Sequence, residues 1–189
     1  RQYLSFSVDG ELVNSDNFWT FAAFDTSHYI SFGESERARQ RIIALNLWTG
    51  MSPSWKVTPQ GPNSRVVVNA PPYNHGATLG GWDRMRGYEA YRFHDKAVFY
   101  SSLEYRYTLK YNPTQSYDWM QSFQVDWFQT VPFIELGQVA PEYSFDLLRD
   151  LKIDVGVSLR LLAAGIVFRA DYAKSNEGNN IWFMVNQTY

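Results

Sequence analysis

The charged side chains able to do chemistry in this 189-residue chain stand at alternate positions of extended-looking segments. Glu104 and Arg106 form one such pair, Asp154 and Arg160 flank a second segment, and Arg169 and Asp171 mark a third. Two roles suit acids and arginines in this pattern: mutually neutralising pairs that fill an enclosed space, or a charged path through it. Other chemistries find no support. His28, His75 and His94 are scattered without metal-ligand spacing, so no metal is expected. There is no Gly-x-Ser-x-Gly elbow and no phosphate loop, and the chain is expected to be no enzyme and to need no cofactor. Cysteine is absent, which excludes disulfides and thiol metal sites. The net charge of −2 supplies no basic field for nucleic acid.

The elements that must position these charges read as strands. Eight candidates span residues 2–9, 18–32, 39–51, 96–110, 118–140, 148–162, 165–174 and 180–189. No helical period persists in them, and no apolar run reaches the ~20 residues of a membrane helix. In the fourth, Ala97, Phe99, Ser101, Leu103, Tyr105, Tyr107 and Leu109 share one face. Val98, Tyr100, Ser102, Glu104, Arg106 and Thr108 share the other. Ile153, Val155, Val157 and Leu159 likewise oppose Asp154, Ser158 and Arg160, and Ile166, Phe168 and Tyr172 oppose Arg169 and Asp171. In the fifth candidate the phase breaks near Thr130–Pro132, which predicts a bulge or bend at Pro132.

Two architectures share this pattern. A soluble barrel or sandwich turns its apolar face inward, whereas a transmembrane barrel turns it to lipid and its polar face to the lumen. Length separates them, since a tilted strand needs ~9–11 residues to cross a bilayer and ordinary strands have about 5–6. Several segments here run past ten residues. Aromatics make up 17% of the chain, and Trp19, Trp48, Tyr107, Trp119, Tyr172 and Tyr189 stand at strand ends, as interfacial girdles require. The expected fold is therefore all-β: one antiparallel transmembrane β-barrel domain over residues 1–189, about eight strands per chain, in a bacterial outer membrane, with its lipid as partner. The long stretch 52–95, with five prolines, is expected to be an irregular outer loop, and the turn at Ala163–Ala164 a periplasmic one. No leader stands at Arg1, which leaves a removed signal peptide, a mid-chain start or a cytosolic protein open.

A run of motifs adds to this. Gly80-Gly81, then Arg86-Gly87-Tyr88, Arg92-Phe93 and Asp95, resembles the signature loop of the bacterial surface antigen superfamily, which includes BamA-type barrels and two-partner-secretion transporters. "PFIELGQVA" (132–140) is similar to the family's Phe-x-Asp-x-Gly strand, with Glu135 in place of Asp. "GIVFRADYAKSNEG" (165–178) and "IWFMVNQTY" (181–189) resemble its last two strands. The resemblance implies a loop that folds back into the barrel and pairs Arg86 with Glu135 on the lumen wall. Phe133, Glu135 and Gly137 share a face. Gly87 would let the turn approach that wall, Gly137 would clear space on it, and Tyr88 would pack against it.

Eight strands closed on themselves leave room only for side chains, too little for a deeply tucked loop. Three arrangements meet that difficulty: a longer barrel of which this is part, a homodimer pairing terminal strands into about sixteen, or a narrow closed barrel with a structural role. The function expected from the resemblance is outer-membrane protein insertion or translocation, with unfolded outer-membrane or secreted proteins as clients. A structural or passive channel formed by a homodimer with the loop as plug, a barrel anchoring a missing upstream domain, and a soluble small-molecule-binding barrel are the alternatives.

Overall fold

Eight long strands form one continuous antiparallel sheet in the computed structural model, which describes residues 2–11, 18–61, 64–116 and 118–185. They are β1 (Gln2–Glu11), β2 (Trp19–Gly33), β3 (Ala38–Met51), β8 (Ala97–Leu109), β9 (Val125–Ala140), β10 (Lys152–Ala163), β11 (Ile166–Lys174) and β12 (Asn179–Val185). Spatial order follows chain order, so successive strands of the sheet are antiparallel neighbours, and no helix among the described residues exceeds a single turn. Between β3 and β8 lie two small hairpins, β4 (Lys56–Gly61) with β5 (Ser64–Val68), and β6 (Thr78–Leu79) with β7 (Phe93–His94). The segment expected to be irregular is thus partly ordered, and β6 and β7 form a neck beneath the tip 80–92.

Alternation in the sequence translates directly into the two faces of the sheet. Val98, Tyr100, Ser102, Glu104, Arg106 and Thr108 of β8 are buried, while Leu103 and Tyr105 are exposed. On β10, Asp154, Ser158 and Arg160 are buried, and Ile153, Val155, Val157 and Leu159 are exposed. On β11 Arg169 and Asp171 are buried, whereas Ile166, Phe168 and Tyr172 are exposed. The charged face is the inner one. Outside, the exposed Leu45, Leu103, Ile134 and Val155 stand opposite one another across β3, β8, β9 and β10.

Five sequence expectations need correction. Residues 118–124 do not join β9, because Asp118–Gln121 closes a helical turn and Gln124 takes a left-handed φ of +49°. Residues 148–151 do not join β10, since Phe145–Leu148 forms a 3-10 turn and Asp150 adopts φ +51°. Pro132 causes neither bulge nor bend. Burial alternates without a break from Gln129 to Gly137, and the irregularity lies between Leu162 and Ala163, where β9 steps from Trp127 to Val125. The missing proline N–H has a local effect instead. The β8–β9 pairing skips from Glu104–Phe133 to Tyr107–Thr130 and resumes in the same register. Trp19 and Trp48 belong to no girdle, for both are buried on the inner face. Finally, the sheet is open. Among the described residues β1 pairs only with β2, and β12 only with β11. A narrow barrel closed within one chain is not what forms. The expected positions 186–189 lie outside the described residues.

The later part of the 52–95 loop packs on the inner face, while its β4–β5 hairpin stays largely exposed. Trp19, Phe21 and Ala23 of β2, Trp48 of β3, and Val98 and Tyr100 of β8 pack against Ala77, Leu79, Met85 and Tyr88 from the loop. The main apolar core is therefore made between sheet and loop. A second, smaller cluster joins Ala97, Ala140 and Leu147.

Candidate functional site: a loop arginine among wall carboxylates

The tip 80–92 folds on itself before it meets the sheet. Gly80 and Gly81 adopt φ of +106° and +111°, a region L side chains avoid, and a Cβ on Gly80 would lie 2.2 Å from the Glu89 carbonyl oxygen. Backbone N–H groups of Gly80, Gly81, Tyr88 and Tyr91 donate to the carbonyls of Arg84, Tyr88, Met85 and Gly80 respectively. Met85 is fully buried at φ +58°. This knot presents Arg86 to the sheet as a prebuilt unit.

Arg86 is wholly buried and uses its donors on three strands. Its backbone N–H donates to Glu135 Oε2 at 2.6 Å and its Nε to Glu135 Oε1 at 3.2 Å. One terminal nitrogen donates to Glu104 Oε1 at 3.1 Å and the other to Asp171 Oδ2 at 3.1 Å. The guanidinium lies 3.4 Å above the Phe133 ring. The Tyr100 hydroxyl donates to Glu135 Oε1. Glu104 is a second hub, accepting from Arg160 at 2.9 Å and from Arg106 Nε at 2.9 Å. Asp171 also pairs with Arg169 at 3.1 Å.

Charge arithmetic explains the arrangement. The buried charged residues among those described are the acids Glu104, Glu135, Asp154 and Asp171 and the arginines Arg86, Arg106, Arg160 and Arg169. The sheet alone holds four acids against three arginines, and the loop supplies the fourth. Register sharpens the need. Asp154 stands directly opposite Glu135, and Arg160 directly opposite Arg169, like charges across neighbouring strands. Of the facing acids the Arg86 guanidinium reaches Glu135, and none of its hydrogen bonds goes to Asp154.

The glycines act where the loop meets the sheet. A Cβ on Gly87 would lie 2.5 Å from Asp154 Cβ and 3.1 Å from the Lys174 carbonyl carbon. A Cβ on Gly137 would lie 2.8 Å from Leu79 Cδ1 and 3.1 Å from Met85 Sδ. Tyr88 is buried, packs edge-on against Phe93 at 5.0 Å, and donates to the Ile153 carbonyl at 3.2 Å and to Asn176 Oδ1 at 2.9 Å. Gly87→Ala should accordingly push the tip off the sheet at a cost of about 1–3 kcal/mol, the usual range for overpacking. Urea unfolding should show this as a lower midpoint at unchanged slope, and an unchanged midpoint would mean the tip has room to spare.

The structure brings together Arg86, Gly87, Tyr88, Phe133, Glu135 and Gly137, and with them Glu104, Asp154 and Asp171. It does not bring in Asp95, whose Oδ1 accepts the Lys96 N–H at 2.7 Å beside the neck, and Gly80 and Gly81 shape the tip without touching the carboxylates. Sequence reasoning missed Tyr100, although its phase on the polar face of β8 marked it as inward. It also missed Trp182, whose indole N–H donates to the Arg86 carbonyl at 2.8 Å. Among the described residues no group of three or more His, Cys, Asp or Glu is arranged to hold a metal ion. Comparison with known proteins finds no matching family model, no matching curated protein and no matching solved structure.

Proposed function

We propose that this chain is wall and plug of a bacterial outer-membrane β-barrel of the protein-insertion and translocation kind. The observation that carries the membrane part is the inverted burial. A sheet in water hides its apolar face, but here Glu104, Asp154, Arg160, Arg169 and Asp171 are hidden and Leu103, Ile153, Val155, Leu159, Phe168 and Phe183 are presented outward. Strands of 12 to 16 residues in β8, β9 and β10 are long enough for a tilted crossing. The aromatic residues Tyr111, Trp119 and Phe123 are exposed at one end of the sheet, and Tyr143 and Phe145 at the other, positions suited to two interfaces. The docked Arg86-Gly87-Tyr88 tip supports the insertion and translocation part through its resemblance to the surface-antigen loop.

The open edges favour completion by further strands. In lipid each unpaired backbone group costs several kcal/mol, so β1 and β12 both require a neighbour. A second copy, with β1 of each chain on β12 of the other, meets that requirement, and so does a longer chain. A passive channel built from two copies is the second reading, favoured by the same edges.

The test is reconstitution. The protein should leave bacterial envelopes only with detergent. In lipid vesicles it should also speed the folding of an added unfolded outer-membrane protein over protein-free vesicles, read as a heat-modifiable band on a gel, and Arg86→Ala should remove the gain. Release without detergent rejects the membrane reading. Detergent-dependent extraction with no gain in client folding rejects insertion and leaves the channel.

A further inference from the structure

The tip that docks on the wall also grips an edge. Strand β12 has one hydrogen-bonded neighbour among the described residues. Its other contacts come from inside. Trp182 Nε1 donates to the Arg86 carbonyl at 2.8 Å, and Asn180 Nδ2 reaches the same oxygen at 3.5 Å. In the hairpin just before β12, Asn176 accepts from the Tyr88 hydroxyl at 2.9 Å. Glu177 takes Arg92 in a two-pronged pair at 2.7 and 3.3 Å. Three successive features of the tip, at residues 86, 88 and 92, thus meet three successive features of the edge, at 180–182, 176 and 177.

We infer that the loop tip and strand β12 form one cooperative unit, in which Trp182 and Tyr88 are positioning residues and withdrawal of the tip frees the edge strand. The carbonyl that Trp182 caps belongs to Arg86, whose side chain holds Glu104, Glu135 and Asp171 on β8, β9 and β11. Whatever displaces Arg86 from the carboxylates must therefore also take its carbonyl from Trp182. Coupling of this kind is reciprocal: what loosens the tip loosens the edge, and by the same factor in the other direction. The edge that the barrel offers to a neighbouring strand is in this way under the control of an internal loop.

The inference goes beyond the membrane reading and is tested without lipid or client, so either fails without the other. Hydrogen–deuterium exchange of the whole protein in detergent is the measurement. Tyr88→Phe, which keeps the ring and removes the hydroxyl, should raise exchange at the β12 amides. Trp182→Phe should raise exchange in the tip, 80–92. Each should do so by about fivefold, the loss expected for one buried hydrogen bond, with β9 unchanged. Glu177→Gln removes only an exposed pair and should raise exchange in the tip by a smaller factor, so a folded variant is at hand in every case. Exchange that rises only on the mutated side of the contact, or that rises equally throughout β9, overturns the coupling.

Discussion

Arg86→Ala is expected to cost about 3–5 kcal/mol, the range found when one partner of a buried ion pair is removed. The cost comes less from the hydrogen bonds removed than from the charges that stay behind. Glu104, Glu135 and Asp171 are each almost fully buried, and the alanine would leave the interior with four acids and three arginines. Glu104 keeps Arg106 and Arg160, and Asp171 keeps Arg169, but Glu135 is left with the Tyr100 hydroxyl and no arginine among the described residues. Glu135→Ala creates the opposite excess, three acids against four arginines, and the double variant restores three of each. The double variant Arg86→Ala/Glu135→Ala should therefore be less destabilised than the sum of the two singles, with a coupling energy toward the upper end of the roughly 0.5–3 kcal/mol typical of contacting residues. Protease nicking within 52–95 should rise in both single variants. Nicking at the wild-type rate in both would show that the apolar core, with Leu79, Met85 and Tyr88, holds the loop without the ion pair.

Leu103→Arg separates lipid from water outside the sheet. Leu103 is at the centre of β8, 45% exposed, with Leu45 and Ile134 opposite it on the neighbouring strands. In a bilayer an arginine at mid-depth on the outer face should cost about 2–4 kcal/mol. In water the same substitution at a half-exposed strand position should stay within about 0.5 kcal/mol. Unfolding in lipid vesicles against urea reads the difference. Ser102→Arg on the neighbouring inward position is no control, because that side chain is buried. Asn74→Arg, at an exposed loop position, is a suitable one and should be neutral in either medium.

Much of the strand pattern was readable because a period of two is hard to counterfeit over ten residues. The inner faces of β8, β10 and β11 follow it residue for residue. The errors fell where backbone conformation, not side-chain type, decides. Nothing in the side chains of 118–124 or 148–151 announces the left-handed turns at Gln124 and Asp150. Trp19 and Trp48 were misassigned because an aromatic at a strand end suits a lipid interface and a packed interior equally well. The openness of the sheet was not readable, since it depends on what lies beyond β1 and β12 and not on any residue within them. For the site, phase put Glu135 on the inner face and resemblance pointed Arg86 toward it. The reach of Arg86 to Glu104 and Asp171 was beyond sequence reasoning. A guanidinium offers several donors, and a connection as long as 52–95 leaves their directions undetermined.

The face-to-face arginines have a consequence for how the sheet finds its alignment. In the observed pairing Arg160 meets Arg169 and Ser158 meets Asp171. A slide of two residues would keep every side chain on its own face and bring Arg160 opposite Asp171, a locally better match. Against that slide stand two things. One is the tight turn at Ala164-Gly165, with φ of +49° and +80°. The other is the incoming Arg86, which needs Asp171 where it is. The loop is thus a proofreader of strand alignment: it rewards the one pairing that the hairpin's own charges disfavour, and a chain that lost the loop would lose that correction with it.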